Sequence, residues 1–318
     1  MERQAKRSGN VRHCEVISGC YNRAMFTGFE PFDIQTGAVM IHGVKKGNGA
    51  PLLLLHGYPQ THVIWHKIAA RLAEQFTVIA TDLRGYGDSS KPDGGENHEA
   101  YSKREMVNDQ IAVMHHFGFD RFYVAGHDRG GRVAHRMALD HPERVQKIAV
   151  LDIAPTHWMY TTTDLEFARG YYHWFFLIQP YDVPEKMIAA DVEHWLRSKF
   201  GQWGRDKSAI TDEAYAEYLR CFKDFAAIHA SCEDYRASAG IDLQHDEQDM
   251  DQKVKAPMLV LWGEKGFVGK KYDLVNVWKE CAEHVQGYGL SCGHYLPEEA
   301  PEQTLQALQK FFSEYVER

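Results

Sequence analysis

The chain has 318 residues, of which 44% are hydrophobic and 25% charged, and its formal net charge at pH 7 is −8. This length can bury a large core in one domain, or in one domain that carries a substantial insertion. The acidic balance argues against nucleic acid or an anionic membrane as a partner, and no apolar run is long enough to span a bilayer. The six cysteines are scattered without a CxxC pair, which favours reduced thiols and a cytoplasmic location.

Residues 1–24 are basic and polar, and they lack the apolar stretch of a secretory signal. A disordered leader and an upstream start codon explain them equally well, because Met25 begins a more ordinary sequence. We expect the folded part of the chain to begin at about Met25.

Short apolar runs alternate with helical patterns along much of the chain. The helical patterns cover 61–75 and 103–117. The apolar runs, which are mostly followed by Gly, Pro or Asp, lie at 52–55, 76–80, 122–126, 147–151 and 258–262. Such runs are typical of buried parallel strands. The alternation predicts an α/β fold with a mostly parallel, doubly wound sheet.

The alternation is interrupted between residues 156 and 255. This stretch is rich in aromatic residues and helix formers, as in "ARGYYHWFFLIQP" and "DEAYAEYLRCFKDFAAIHASCEDYRA", and contains no convincing strand pattern. The strand pattern resumes at 258–262. We therefore expect 156–255 to form a helical cap domain, inserted into a core domain made of 25–155 and 256–318.

The segment "AGHDRGGRVAH" at 125–135 places an aspartate between two glycines at a predicted strand-to-helix junction. Gly126, Asp128 and Gly130 match the G-x-nucleophile-x-G pattern of a nucleophile elbow, with Asp128 as the nucleophile. The alternative is that Asp128 only caps the following helix. Both roles are compatible, since the positive end of a helix keeps a carboxylate ionised.

The predicted strand at 52–55 ends in the loop His56-Gly57-Tyr58-Pro59. In enzymes with a nucleophile elbow, a loop at this position and the residue after the nucleophile supply backbone N–H groups to an oxyanion hole. The sequence therefore predicts that the N–H groups of Tyr58 and Arg129 bind a developing negative charge.

Eight motifs give the chain a resemblance to a known family. They are HGYPQ, DLRGYGDSSKP, GHDRGGR, ALDHPERV, AVLDIAPT, YHWFFLIQP, CEDYRA and GHYLPEEAPE. The chain resembles the aspartate-nucleophile branch of the α/β-hydrolase superfamily, and within that branch the fluoroacetate (haloacetate) dehalogenases, from about residue 26 to the C-terminus. The resemblance implies an α/β-hydrolase fold with an inserted helical cap, and hydrolysis of a haloacetate to glycolate and halide.

An aspartate nucleophile suits this reaction. Attack by a serine on an sp³ carbon that bears a halide would give an ether, which water does not readily cleave. Attack by Asp128 would give an ester, which can be hydrolysed at the aspartate's own carbonyl carbon. This second step requires a general base and an oxyanion hole.

The general base is predicted at His294, in the segment "SCGHYLPE" that follows the last predicted strand and matches the family's histidine. Asp152 in "AVLDIAPT" matches the family's orienting acid, and a carboxylate buried at a strand end needs a cationic partner such as imidazolium. The alternative for Asp152 is a capping role in the linker to the cap. Glu264 in "WGEKGF" is the second candidate for the acid.

Arg129 and Arg132 are three residues apart at the start of the predicted helix after Asp128, so they can share a face above it. Two guanidinium groups there would bind a substrate carboxylate through their forks and offset its repulsion by Asp128. The resemblance assigns both arginines to carboxylate binding. The alternative is that both are simply solvated.

The resemblance places the halide-binding residues at His173, Trp174 and Tyr235. A departing halide, and fluoride above all, needs hydrogen-bond donors in a site that excludes water. Composition alone would assign the same three residues to an aromatic core of the cap. The dipeptide His157-Trp158 lies outside the YHWFFLIQP match and is not selected.

The predicted chemistry requires no metal and no organic cofactor, and its reactants are a haloacetate anion and water. The resemblance also allows for a homodimer. Tyr58 departs from the family pattern, in which phenylalanine is common, and adds a hydroxyl near the pocket. Two other functions are compatible with the sequence: an epoxide hydrolase, which has no use for paired arginines, and a non-catalytic ligand-binding relative, which would typically lack part of the triad.

Overall fold

The computed structural model describes residues 25–314, so the expectation for residues 1–24 lies outside the described residues. Within this range one sheet has the strand order β1-β2-β4-β3-β5-β6-β7-β8. Strands β3 to β8 are parallel to one another, and a β1-β2 hairpin joins them in antiparallel orientation. The strands are β1 Glu30–Thr36, β2 Val39–Lys46, β3 Ala50–Leu55, β4 Phe76–Thr81, β5 Phe122–His127, β6 Val145–Leu151, β7 Met258–Gly263 and β8 Val285–Leu290. The predicted α/β fold with a mostly parallel sheet is confirmed.

Strands β3 to β7 contain the five predicted apolar runs. Successive side chains of a strand point to opposite faces of the sheet, so Leu53 and Leu55 pack into one core and Leu52 and Leu54 into the other. Burial on both faces explains why these runs are continuously apolar. The sequence patterns do not predict β8, because glycine and polar residues interrupt its sequence "VQGYGL".

Helices cover both faces of this sheet. Outside the long insertion they are α1 Ala69–Leu72, α2 Lys103–His116, α3 Arg129–Asp140, α12 Phe267–Lys271, α13 Leu274–Lys279, α14 Leu296–Glu299 and α15 Pro301–Ser313. Apolar residues of α2 and α3 join the core that contains Leu53, whereas those of α1 and α15 join the core that contains Leu52. The sheet is therefore doubly wound.

The predicted helix over 61–75 is wrong in its extent. His62–Trp65 forms a 3₁₀ turn, and only Ala69–Leu72 is α-helical. All four residues of the 3₁₀ turn are buried, so one face of a continuous helix could not place them all in the core. The predicted helix over 103–117 corresponds to α2.

The connection between β6 and β7 contains eight helices and no strand, and all of its residues are described. We call residues 156–248 the helical segment; its helices are α4 Thr156–Thr161, α5 Leu165–Gly170, α6 His173–Leu177, α7 Val183–Ala190, α8 Val192–Trp203, α9 Asp212–Phe222, α10 Phe225–Ala239 and α11 Ile241–Gln248. Hydrogen bonds from Trp195 to Tyr58 and from Arg129 to Asp234 place this segment over the carboxyl ends of β3 and β5. Within residues 25–314, no helix has the length and apolarity that crossing a membrane requires.

Candidate active site

Asp128 occupies a sharp turn between β5 and α3. Its φ is +45°, a conformation that residues other than glycine seldom adopt. The flanking glycines permit close backbone approach: a Cβ on Gly126 would lie 2.3 Å from the carbonyl oxygen of Gly130, and a Cβ on Gly130 would lie 2.4 Å from that of His56. The turn therefore holds Asp128 at the carboxyl end of the sheet, in the geometry that an elbow requires.

The Asp128 side chain does not cap its helix, although Asp128 is the N-cap residue of α3. Its Oδ2 accepts a hydrogen bond of 3.0 Å from the N–H of Tyr58. Burial alone would raise the pKa of Asp128, but Coulombic interactions with His294, His127 and Arg132 lower it below the ordinary value. The carboxylate is therefore ionised at neutral pH and can act as a nucleophile.

One of the two predicted oxyanion donors, Tyr58, contacts this carboxylate, and the other, Arg129, directly follows Asp128 in the chain. The N–H of Tyr58 contacts Oδ2, and Arg129 is the first residue of α3, where a backbone N–H has no intrahelical partner. An oxygen that lies between these two N–H groups is stabilised as negative charge develops on it. Because the N–H of Tyr58 holds Oδ2, Oδ1 is the oxygen that can attack a substrate.

The structure brings His294 and Asp152 together across 142 residues of sequence. His294 Nδ1 lies 2.7 Å from Asp152 Oδ2. Asp152 Oδ1 accepts a hydrogen bond of 2.9 Å from the N–H of Gly263, so both carboxylate oxygens are held. Glu264, the second sequence candidate, has an exposed side chain, and its backbone N–H donates to Leu290.

The contact with Asp152 sets the basicity of His294. Burial alone would lower the pKa of His294, but the hydrogen bond and charge of Asp152, together with the charge of Asp128, raise it above the ordinary value. A more basic imidazole is a stronger proton acceptor once it is neutral. Since Asp152 holds Nδ1, Nε2 is the nitrogen left to act on water.

Arg129 is fully buried and paired with a carboxylate of α10. Its Nε lies 2.8 Å from Asp234 Oδ2, and its Nη2 lies 2.5 Å from Asp234 Oδ1. Lys103 Nζ and the Tyr86 hydroxyl also donate to Asp234, at 2.5 and 2.7 Å. Arg129 Nη1 has no hydrogen-bond partner within the part of the chain that the structure describes.

Arg132 uses a different set of partners. Its Nη1 donates to the Ala154 carbonyl at 3.1 Å and to the Thr156 hydroxyl at 2.9 Å, while its Nε has no partner among the described residues. Protein groups therefore occupy part of each guanidinium fork, and binding of a substrate carboxylate by the two arginines stays a prediction. Each arginine keeps one buried nitrogen that has no partner among the described residues, and such a nitrogen can donate to a carboxylate oxygen.

His173, Trp174 and Tyr235 lie close to these arginines. The guanidinium carbon of Arg129 is 4.3 Å from the centroid of the Tyr235 ring, and that of Arg132 is 4.8 Å from the centroid of the Trp174 ring. The rings of His173 and Tyr235 meet edge to face, with centroids 5.7 Å apart. All three residues are buried, so their N–H and O–H groups can bind a ligand away from bulk water.

Burial fixes the protonation of this cluster. Burial, Lys199 and His294 lower the pKa of His173 well below its ordinary value, and burial raises the pKa of Tyr235 well above its own. A neutral His173 carries one N–H donor, and Tyr235 keeps its O–H. Trp158, from the dipeptide that the motif match excludes, is partly exposed and lines a separate pocket.

Within residues 25–314, one group of side chains has the composition of a metal site: His42, His62 and Asp82 bring ligand-type atoms within 4.8 Å of one another. Here His62 Nδ1 lies 2.8 Å from Asp82 Oδ1, and His42 Nδ1 lies 2.8 Å from Asp33 Oδ1. These contacts account for the group as a network of histidine–aspartate hydrogen bonds. It shares no residue with the predicted site.

A family model described as the alpha/beta hydrolase fold matches residues 50–301 of the chain. The chain belongs to the α/β-hydrolase family. The match begins with β3 and includes Asp128, Asp152 and His294, so the whole candidate triad lies within the α/β-hydrolase portion.

This α/β hydrolase is similar over most of its length to two known enzymes. The fluoroacetate dehalogenase of Burkholderia sp is 43% identical over 291 residues, which cover 91% of this chain and 96% of the relative. The soluble epoxide hydrolase of Corynebacterium sp. (strain C12) is 33% identical over 92% of this chain and 97% of the relative. The crystal structure of ALR0039 from Nostoc sp PCC 7120 matches with a TM-score of 0.91 and 61% identity, over 91% of this chain and 100% of that chain. The resemblance to dehalogenases is confirmed, and epoxide hydrolases are a second group of relatives.

The sequence patterns miss two groups near the site of this α/β hydrolase. Asp234 lies in the motif "CEDYRA" beside Tyr235, but 105 residues separate it from its partner Arg129, and a charged residue on a helix is usually solvated. Its place next to a predicted ligand-binding residue is the one signal that could have found it. Lys199 is also missed; its buried ammonium group lies over three aromatic rings.

Proposed function

We propose that this α/β hydrolase is a haloacetate dehalogenase, which converts fluoroacetate or chloroacetate to glycolate and halide. The observation that carries the proposal is the pair of buried nitrogens near Asp128, Arg129 Nη1 and Arg132 Nε, that lack partners among the described residues. A neutral substrate would leave both unsatisfied, whereas a carboxylate would bind both. The similarity to the fluoroacetate dehalogenase of Burkholderia sp supports the same class of substrate.

In the proposed first step, Asp128 Oδ1 attacks the carbon that bears the halogen. The carbon–halogen bond breaks and its electron pair leaves with the halide, which accepts hydrogen bonds from His173, Trp174 and Tyr235. The product is the Asp128 ester of glycolate. Its carbonyl oxygen is Oδ2, which already accepts the hydrogen bond from Tyr58.

In the second step, His294 takes a proton from water and the resulting hydroxide attacks Cγ of Asp128. Negative charge collects on Oδ2, where the N–H groups of Tyr58 and Arg129 stabilise it. The tetrahedral intermediate then expels glycolate, whose oxygen takes the proton from His294. Asp152 keeps the imidazole oriented and stabilises the imidazolium. Asp128 is regenerated with one oxygen from water, and its carboxyl group releases the second proton of that water to solvent.

The helical segment would act as a cap in this reaction. Residues 156–255 are proposed as the cap domain, with 25–155 and 256–318 as the core domain. His173, Trp174 and Tyr235 come from the cap, while Asp128 and His294 follow strands of the core. Closure of the cap over the sheet excludes water and so strengthens every electrostatic contact with the halide.

The direct test is to measure free halide released from fluoroacetate and chloroacetate by the wild type and by His294→Ala. We expect steady release by the wild type, and in the variant a protein mass increased by one carboxymethyl group in place of a hydrogen, located on Asp128. Absence of this adduct while the wild type turns over would contradict the covalent mechanism. Absence of halide release by the wild type would contradict the function.

Epoxide hydrolysis is the second candidate, favoured by the similarity to the Corynebacterium soluble epoxide hydrolase. Tyr171 and Tyr235 are buried near Asp128 and could protonate an epoxide oxygen. Arg129→Leu and Arg132→Leu distinguish the two functions in variants that circular dichroism shows to be folded: a dehalogenase loses activity in both, whereas an epoxide hydrolase retains ring opening. Arg132→Leu is the sharper test, because Arg129→Leu also breaks the ion pair with Asp234. Saturable binding of haloacetate without turnover by the wild type would instead indicate the non-catalytic alternative.

A further inference from the structure

A pocket of about 180 Å³ lies between the helical segment and residues that follow the sheet strands, and His294 is one of its lining residues. Gly170, Tyr171, Trp203 and Phe267 also line it. A Cβ on Gly170 would lie 2.5 Å from the Phe267 ring, so the glycine allows α5 and α12 to approach closely at this wall. We call this space the entry pocket.

The mouth of the entry pocket is its solvent-exposed part, and it carries two cations that form no ion pair among the described residues. Arg205 and Lys270 line the mouth and are exposed, and neither has a carboxylate within ion-pair distance among the described residues. The acid of the mouth, Glu166, lies 3.4 Å from Lys271, which also pairs with Asp164 at 2.7 Å. Glu299 Oε2 accepts a hydrogen bond of 2.7 Å from the backbone N–H of Arg205. Arg205 Nε donates to the carbonyl of Lys265, which holds this side chain near the opening.

A third cation lies behind the wall of the entry pocket. Lys199 is buried, with Nζ 5.3 Å from the centroid of the Trp203 ring and 2.6 Å from the Tyr172 hydroxyl. Burial lowers the pKa of Lys199 to about 8, which leaves it mostly protonated at pH 7. No carboxylate of the described chain forms an ion pair with it. The charges of Lys199, Arg129 and Arg132 all act on His173, whose pKa they lower, so these three cations lie near the candidate site.

We infer that the entry pocket is the route by which an anionic carboxylate enters from solvent, and that Arg205 and Lys270 recruit the anion at its mouth. The identity of the anion as a haloacetate rests on the proposed function, whereas the route does not. A protein with a net charge of −8 repels anions at long range, and at physiological ionic strength a charge acts over only about 8 Å. Local cations at the opening can therefore determine the association rate.

The first experiment measures binding of acetate, a carboxylate that cannot be dehalogenated, by stopped-flow tryptophan fluorescence. The variant is Arg205→Glu with Lys270→Glu, and the matched control is Lys255→Glu with Lys279→Glu, two exposed lysines outside the pocket with the same total change in charge. At low ionic strength, the association and dissociation rate constants of the variant should both fall about tenfold relative to the control, with little change in Kd. High salt should remove the difference.

Equal rate constants in variant and control would overturn the inference, as would a change in Kd that comes from dissociation alone. The first result would make the pocket a path for water, and the second would mean that the charges act on the bound anion.

The second experiment does not require acetate binding. The fluorescence of Trp203 is obtained as the difference in tryptophan emission between the wild type and Trp203→Phe. Quenching of this fluorescence by iodide is compared with its quenching by the neutral molecule acrylamide. In the charge-reversed variant, quenching by iodide should fall severalfold while quenching by acrylamide is unchanged. Equal loss for both quenchers, or for neither, overturns the inference. A protein that passes this test but releases no halide would contradict the proposed function alone.

Discussion

The sheet side and the helical side of the candidate site are built in different ways. Asp128 and Asp152 directly follow strands, and both have positive φ values, +45° and +54°, that the sheet's turns impose. His173, Trp174 and Tyr235 are held by ring contacts within the helical segment. In the proposed reaction, the turns after the sheet strands hold the nucleophile and the acid, whereas packing within the helical segment holds the residues proposed to bind the halide. Arg129 connects the two sides through its ion pair with Asp234.

The largest expected effect is on the sheet side. Asp128→Asn removes the nucleophilic charge and retains the shape, and asparagine tolerates the positive φ at this turn. Dehalogenation of chloroacetate should fall about 10⁴-fold or more, as for the removal of a nucleophile from a triad. Circular dichroism and thermal unfolding should match the wild type. A variant that keeps more than a hundredth of the activity, with the introduced asparagine confirmed intact by mass spectrometry, would show that another group attacks the substrate.

The next largest effect tests the connection between the two sides. Asp234→Asn leaves the buried cations Arg129 and Lys103 without their common carboxylate, so the free energy of unfolding should fall by about 3–5 kcal/mol. The displaced Arg129 should lower kcat/KM for chloroacetate about 10²-fold. Denaturant titration and steady-state kinetics measure the two quantities.

Glu193→Gln is the matched control for Asp234→Asn, because it breaks an exposed pair in which Glu193 Oε1 lies 2.8 Å from Arg197 Nη2. We expect no measurable change in stability or kinetics. Equal behaviour of the two variants would mean that Asp234 does not position Arg129.

The same difference between the two sides explains which site residues could be predicted from the sequence. The position of Asp128 follows from local signals, namely two glycines between a strand and a helix, and five strands follow from apolar runs. Asp234 has no local signal, because its partner is 105 residues away and becomes adjacent only after α10 packs over the sheet. The free nitrogens of Arg129 and Arg132 were not predictable either, since they depend on which protein groups occupy the forks.

A smaller effect concerns the pKa of His294, which should differ between the free enzyme and the Asp128 ester. In the free enzyme Asp152 and Asp128 raise the pKa of His294 above 6.5. The imidazole must be neutral to accept a proton, so hydrolysis of the ester should slow about tenfold for each pH unit below its pKa. Esterification removes the negative charge of Asp128, so the pKa that governs ester hydrolysis should lie below that of free His294.

NMR titration of His294 in the free protein gives the first pKa, and the pH profile of single-turnover ester hydrolysis gives the second. Asp152→Asn should lower the NMR value. If the two pKa values coincide, Asp128 does not contribute to the basicity of His294.

The smallest effect is expected at Tyr58, the residue that touches both sides. Its N–H binds Asp128 on the sheet side, whereas its hydroxyl accepts a hydrogen bond of 2.6 Å from Trp195 Nε1 in α8. Tyr58→Phe leaves the backbone N–H in place, so kcat for chloroacetate should change by no more than about twofold. Loss of the Trp195 hydrogen bond should lower the free energy of unfolding by about 1 kcal/mol. A large fall in kcat with unchanged stability would mean that the Tyr58 hydroxyl takes part in the reaction. The sheet side and the helical side could then not be assigned separate roles at this residue.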